Sequence, residues 1–265
     1  MITDLIVKNF KSIGENGVKV ELKPLTILLG PNGSGKSSIL EAIGILSQSA
    51  EKMDFQTNGN LVRIPRASNI FYKGSSENWL TFEIHIKATD AEMNKLITIS
   101  KNELSNDIQE VLYKRDIEYK LSYKWKTNEF NQSVMIGNHE IAKAELIKVG
   151  ESGLATKLEF PNKTSSSPWV GANQILNEQV FRDHPKEIEE STVFSDIAME
   201  IVRIMKARLL NQVFLISAIR GQTEFEEKIV GDIDTKLLKV LGVGGFGTKT
   251  LDRQSFTQNN LIFRQ

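Results

Sequence analysis

Residues 30–37 read GPNGSGKS, preceded by Leu25-Thr26-Ile27-Leu28-Leu29 and followed by SSILEAIGIL at 37–46. An apolar run, a glycine-rich turn and a stretch with helical spacing predict strand, loop and helix, the setting in which GxxxxGK[ST] holds a triphosphate. Gly30, Gly33 and Gly35 let the backbone turn tightly and aim its N–H groups at phosphate oxygens. Lys36 brings a point charge toward the β- and γ-phosphates, Ser37 a hydroxyl for Mg²⁺, and the helix its positive end. The predicted cradle is Gly30, Pro31, Asn32, Gly33, Ser34, Gly35, Lys36, Ser37 and Ser38, with ATP and Mg²⁺ as the expected cofactors.

Composition narrows the remaining classes. At 265 residues, 40% apolar and 25% charged, the chain can build a substantial core. Lysine plus arginine equals aspartate plus glutamate at 33 each, so a nucleic-acid surface would have to be local. With no cysteine, thiol nucleophiles, disulfides and cysteine zinc sites are excluded. The start MITDLIVKNFKSIG is too short and charged for a signal peptide, and no apolar run approaches the ~20 residues of a membrane helix. A soluble, cytoplasmic protein without membrane partners is expected.

Alternation at Leu5 and Val7, and again at Val18, Val20 and Leu22, predicts two strands around a Gly14-Glu15-Asn16-Gly17 turn. In the helix after the loop, Ile39, Leu40, Ile43 and Leu46 are expected to form the buried face. Leu80, Phe82, Ile84 and Ile86 mark a further strand, as do Ile117, Tyr119, Leu121, Tyr123 and Trp125, and then Leu154 to Phe160. Residues 115–160 are read as an antiparallel meander with one wet face. A short helical stretch is read within 90–113. The run PNKTSSSPWVGANQ at 161–174 reads as a linker, after which Val193, Ile197, Ile201, Ile204 and Arg208 give a helical stripe broadened by Phe194, Met205 and Leu209.

The opening resembles the RecF/SMC/overcoming-lysogenisation-defect group of ABC-type ATPases. The resemblance rests on VKNFKSIG at 7–14, VKVELKPLTILLG at 18–30 and GPNGSGKSSILEAI at 30–43. The weaker VFLISAIRG at 213–221 and KLLKVLGVGGFG at 236–247 look like elements that precede the signature motif in such proteins. The resemblance implies an α/β P-loop core of ABC/SMC type carrying an antiparallel β lobe. On that basis 1–160 is the P-loop and β-rich part, 161–178 a linker, and 179–265 a helical segment with returning strands. It also implies a homodimer through the nucleotide sites whose ATP state governs engagement of DNA or a nuclease partner, in repair, phage defence or chromosome maintenance. Lys11 and Ser12 would lie near the base or ribose; a solvated turn is the alternative.

Hydrolysis in such proteins uses a signature motif, a Walker B aspartate and a neighbouring glutamate that activates water. No run of four apolar residues followed by Asp-Glu occurs, and Ile229-Val230-Gly231-Asp232 is short and glycine-broken. No catalytic residue is therefore assigned, and the second half of the ATPase core is expected to be missing. The alternative function is a binding-only nucleotide-sensing or assembly module; a small-molecule kinase fits less well. A Q-loop glutamine is left unassigned between Gln132 and Gln174. Lys114, Arg115, Lys120, Lys124 and Lys126 could neutralise DNA phosphates, although a solvated lysine face is the simpler reading. Arg220 could be a phosphate or interface arginine, although a structural salt bridge is the simpler reading, and Glu187, Glu189 and Glu190 read as first-turn charges. His85, His139 and His184 show no ligand spacing, so no histidine metal site is expected.

Overall fold

Valine, isoleucine, phenylalanine and tyrosine at every second position favour strands whose two faces differ, and the chain pairs such strands in one continuous ladder. The structure, a computed structural model, describes residues 1–64, 66–72, 79–100, 115–124, 129–149, 153–161, 163–167, 174–182 and 193–212. Strands β1 (Ile2–Lys8), β2 (Val18–Glu21), β3 (Leu80–Lys87), β4 (Asp116–Lys124), β5 (Glu129–Ile136), β6 (His139–Val149), β7 (Gly153–Phe160) and β8 (Lys163–Ser167) form an antiparallel sheet ordered β2-β1-β3-β4-β5-β6-β7-β8. Helices α1 (Lys36–Lys52), α2 (Asp90–Ser100) and α3 (Val193–Gln212) complete the main elements among the described residues, with short 3-10 turns at Ala67–Ile70 and Glu178–Phe181.

Register decides what each face presents. Val7 lies opposite Phe82, Leu5 opposite Ile84, Ile84 opposite Tyr119, and Tyr119 opposite Val134, all buried. This apolar face joins one core with Ile39, Ala42, Ile45 and Leu46 of α1, Met93 and Leu96 of α2, and Ile197, Ile201, Met205 and Leu209 of α3. The opposite face carries Asp4, Glu83, His85, Glu118 and Lys120 in neighbouring rungs.

The expected meander is present, but it is not a separate lobe: β3 pairs with β1, so the N-terminal hairpin and the meander share one sheet. The stretch expected to be a linker contains β8, whose Lys163-Thr164-Ser165-Ser166-Ser167 has no apolar alternation to betray it. Its backbone completes the ladder on β7, which a polar edge strand can do without burying side chains. In α1, Leu40 is exposed rather than buried, and the buried face instead includes Ser47, Gln48 and Ser49. Ser47 Oγ donates to the Leu209 carbonyl of α3 at 3.2 Å. Trp125, Glu187, Glu189, Glu190, Arg220, His184, Lys114, Lys126 and the two segments at 213–221 and 236–247 lie outside the described residues.

Two polar clamps tie the helices down. Arg208 of α3 donates to both Glu92 carboxylate oxygens at 2.7 Å. Burial alone would raise the Glu92 carboxyl, but hydrogen bonds from Thr89 and Arg208 outweigh it and hold the group below its ordinary range. Glu92 therefore contributes stability above the ordinary glutamate range, and that contribution disappears as pH falls through its lowered value. Acid titration of unfolding free energy should show the stability gap between wild type and Glu92→Gln closing with falling pH; a constant gap would refute the pairing. Gln48 Oε1 accepts from the Val62 and Leu61 amides at 3.0 and 3.3 Å, while its Nε2 donates to the Gln56 and Val62 carbonyls at 2.6 and 3.3 Å. Removing such a partner leaves buried backbone groups unsatisfied at about 1–3 kcal/mol each. Gln48→Ala is expected to lose about 2–3 kcal/mol in urea unfolding, whereas a loss near zero would mean that the 56–62 loop does not depend on this side chain.

Candidate functional site

The loop between Gly30 and Lys36 is shaped by backbone conformations that side-chain-bearing residues resist. Gly33 has φ 83° and Gly35 φ 95°. Ser34 N–H donates to the Pro31 carbonyl at 3.2 Å, and Ile39 N–H to the Gly35 carbonyl at 3.0 Å, which starts α1. Gly35 is the N-cap and makes no side-chain cap; the first turn of α1 holds no acidic residue. The helix therefore presents its positive end without an acidic side chain of its own first turn to neutralise it. Pro31, Asn32, Gly33, Ser34 and Ser37 are exposed, and Ser38 is buried beneath them.

Lys36 turns back over this loop. Its Nζ donates to the Gly30 and Pro31 carbonyls, both at 2.7 Å, and lies 3.4 Å from Ser34 Oγ. These partners are neutral dipoles, and no carboxylate among the described residues balances the ammonium charge. An exposed first turn with amide donors, a hydroxyl at Ser37 and an ammonium over the loop is a donor set suited to a polyanion with its divalent cation.

The turn after β1 props up the loop from behind. Phe10 is buried and packs edge-to-face on Phe82 with ring centroids 5.5 Å apart. Asn9 and Lys11 take positive φ, 60° and 51°, which swings the chain under α1. Ser12 Oγ and Ser38 Oγ are 2.8 Å apart, and Lys11 Nζ meets Glu41 Oε2 at 2.5 Å. Lys11 and Ser12 are thus brought beside the loop, with both side chains engaged by α1.

One expected element does not form. Residues 25–29 carry no strand, and Leu25, Ile27 and Leu29 are 77%, 69% and 87% exposed. A strand requires a neighbour for its amides and carbonyls, and no described strand runs beside this segment. Both glutamines weighed for a Q-loop make hydrogen bonds within the fold. Gln132 is buried, accepts from Tyr119 Oη at 2.5 Å and donates to the Gln174 carbonyl at 3.1 Å, while Gln174 Oε1 accepts from Asn177 Nδ2 at 2.7 Å. Burial pushes the Tyr119 hydroxyl well above its ordinary value. The lysine face is also engaged: Lys120 pairs with Glu83 at 2.9 Å, Arg115 with Asp90, and Lys124 lies 5.9 Å from the Trp79 ring.

Sequence spacing missed a cluster on the polar face, Glu83, His85 and Glu118, whose potential ligand atoms lie within 4.8 Å of one another. The signal was Glu-x-His within one strand, but the third member comes from a strand 33 positions later, visible only through register.

A family model described as "AAA ATPase domain" matches residues 1–212. Among curated proteins, the DNA double-strand break repair Rad50 ATPase of Methanocaldococcus jannaschii is 27% identical over 128 residues. That alignment covers 41% of this chain and 13% of the relative. No described helix is long and apolar enough to cross a membrane.

The loop's dependence on glycine can be measured directly. A Cβ on Gly35 would lie 3.3 Å from Ser12 Oγ, in a backbone conformation that costs an L-residue about 1–2 kcal/mol. Gly35→Ala is expected to lower unfolding stability by about that amount; unchanged stability would show that the loop is not held as described.

Proposed function

The chain belongs to the AAA ATPase domain family, and from that membership we propose that its loop at Gly30–Ser38 binds Mg²⁺-ATP as part of an SMC/RecF-like ATPase. The observation that carries the reading is the Lys36 ammonium, held among the described residues by the neutral Gly30 and Pro31 carbonyls and the Ser34 hydroxyl above a helix start without acidic residues. A triphosphate would supply the missing negative charge there. Lys36 would exchange the loop carbonyls for phosphate oxygens, the 33–37 amides would donate to them, and the Ser37 hydroxyl would hold Mg²⁺. Lys11 and Ser12, fixed on α1, would border the nucleotide's base or ribose.

In this reading the residues up to Ser167 supply the loop and sheet, and 179–265 continues the ATPase domain. The nucleotide joins two copies of the chain, and its state controls how the dimer engages DNA or a nuclease partner, as suits a cytoplasmic maintenance, repair or phage-defence protein. Support comes from the family membership and from the similarity to a protein named as a DNA double-strand break repair ATPase. A binding-only module is the second reading, favoured by the lack of an apolar run ending in Asp-Glu.

Calorimetry with Mg²⁺-ATP tests the site. Wild type should bind, and Lys36→Ala should weaken binding by more than about tenfold, since charge-assisted hydrogen bonds contribute about 1.5–3 kcal/mol. Equal affinity in the two proteins would overturn the assignment. Phosphate release separates the two readings: turnover with added DNA or partner supports the regulated ATPase, and binding without turnover under all those conditions supports the sensor.

A further inference from the structure

We propose that Glu83, His85 and Glu118 form a site for one divalent transition-metal cation on the polar face of the sheet, away from the phosphate loop. Glu83 and His85 alternate on β3, and Glu118 lies directly across from His85 on β4. Their ligand atoms lie within 4.8 Å of one another. The side chains are 11%, 28% and 18% exposed, so the donors are largely shielded from water.

His85 supplies the second observation. Its Nε2 is buried and makes no hydrogen bond, although a buried imidazole nitrogen ordinarily finds a partner. Glu118 Oε2 is 3.8 Å away, too far for a hydrogen bond. Two ligands bound at about 2.1 Å to one ion at a tetrahedral angle stand about 3.4 Å apart, so this gap closes on a metal with a small side-chain rotation. One imidazole and two carboxylates favour Zn²⁺ or Mn²⁺ over Mg²⁺ or Ca²⁺, which prefer oxygen alone.

Charge around the cluster points the same way. Asp4 lies across from His85 on β1 and pairs with Lys19 at 3.1 Å; Lys120 pairs with Glu83 at 2.9 Å. The three carboxylates outnumber the two ammonium groups by one. Lys120, 41% exposed, can swing to solvent when a cation arrives. The bound metal would cross-link β3 to β4 at the middle of the sheet.

The test uses the full 265-residue chain, stripped with chelator and titrated with Zn²⁺ in the calorimeter without nucleotide. One Zn²⁺ per chain should bind and raise the melting temperature. His85→Ala and Glu118→Gln should each weaken binding by more than about tenfold, the lower bound seen even for groups outside the ligand set, while His139→Ala leaves it unchanged. Lys120→Met removes the competing cation and should enlarge the Zn²⁺-induced melting shift, a gain that misfolding cannot mimic. Absence of saturable binding, or binding that persists equally in His85→Ala and Glu118→Gln, overturns the site. Because nucleotide is omitted, either result leaves the reading of the phosphate loop untouched.

Discussion

Phe82, Ile84, Tyr119, Leu121 and Val134 all point to one side of the sheet, and that apolar face must be covered before anything else can be placed. Three helices do this, and each contributes an apolar stripe to the same core. For α1 the requirement has a functional consequence. Burying Ile39, Ala42, Ile45 and Leu46 fixes the helix along most of its length, while its first turn remains at the margin, where Ser37 is exposed. The hydrophobic effect thus sets the position of a polar loop that contributes little to folding itself.

Electrostatics separates the two polar regions of the surface. On the sheet's outer face, positive and negative side chains alternate across strands: Lys120 with Glu83, Lys143 with Glu145 and Glu159, Lys157 with Glu159. Such exposed pairs add little stability, but they cancel one another's fields, which matches a chain with equal numbers of acidic and basic residues. At the phosphate loop this cancellation is missing. Among the described residues Lys36 meets neutral dipoles, two carbonyls and the Ser34 hydroxyl, and the helix behind it adds positive potential. Attraction for a polyanion arises there without any net charge on the molecule.

Much of this was legible in the sequence where a single periodicity governs an element. Alternation in β3 and β4 and the stripe Ile197, Ile201, Ile204 and Leu209 in α3 point to side chains that are buried. Legibility failed where contacts between distant segments decide. β8 is held by backbone pairing to β7, so its polar residues read as a linker. Ser47, Gln48 and Ser49 are buried because Gln56, Val62 and Leu209 offer them partners, which no helical spacing reveals. Leu25, Ile27 and Leu29 alternate like a strand, yet no described strand lies beside them, and pattern alone cannot supply a neighbour. The loop itself was readable because its chemistry lies in eight consecutive residues; Glu83, His85 and Glu118 were not, because register brings them together.

The same distinction explains why the N-terminal segment carried the family resemblance so clearly. Asn9 and Lys11 turn the chain back, Phe10 anchors that turn on Phe82, and Ser12 reaches Ser38. Lys11 then meets Glu41 one helical turn farther along. Four consecutive residues therefore connect the end of β1 to the first two turns of α1, leaving little freedom in how the phosphate loop sits on the sheet. Gly35 lies at the tightest point of this junction, where even a methyl group would press on Ser12. A loop needing several backbone amides aimed at one anion must be held to within a fraction of an ångström. That precision comes from the turn beneath it, so NFKS and GPNGSGKS act as one structural unit despite the 17 residues between them.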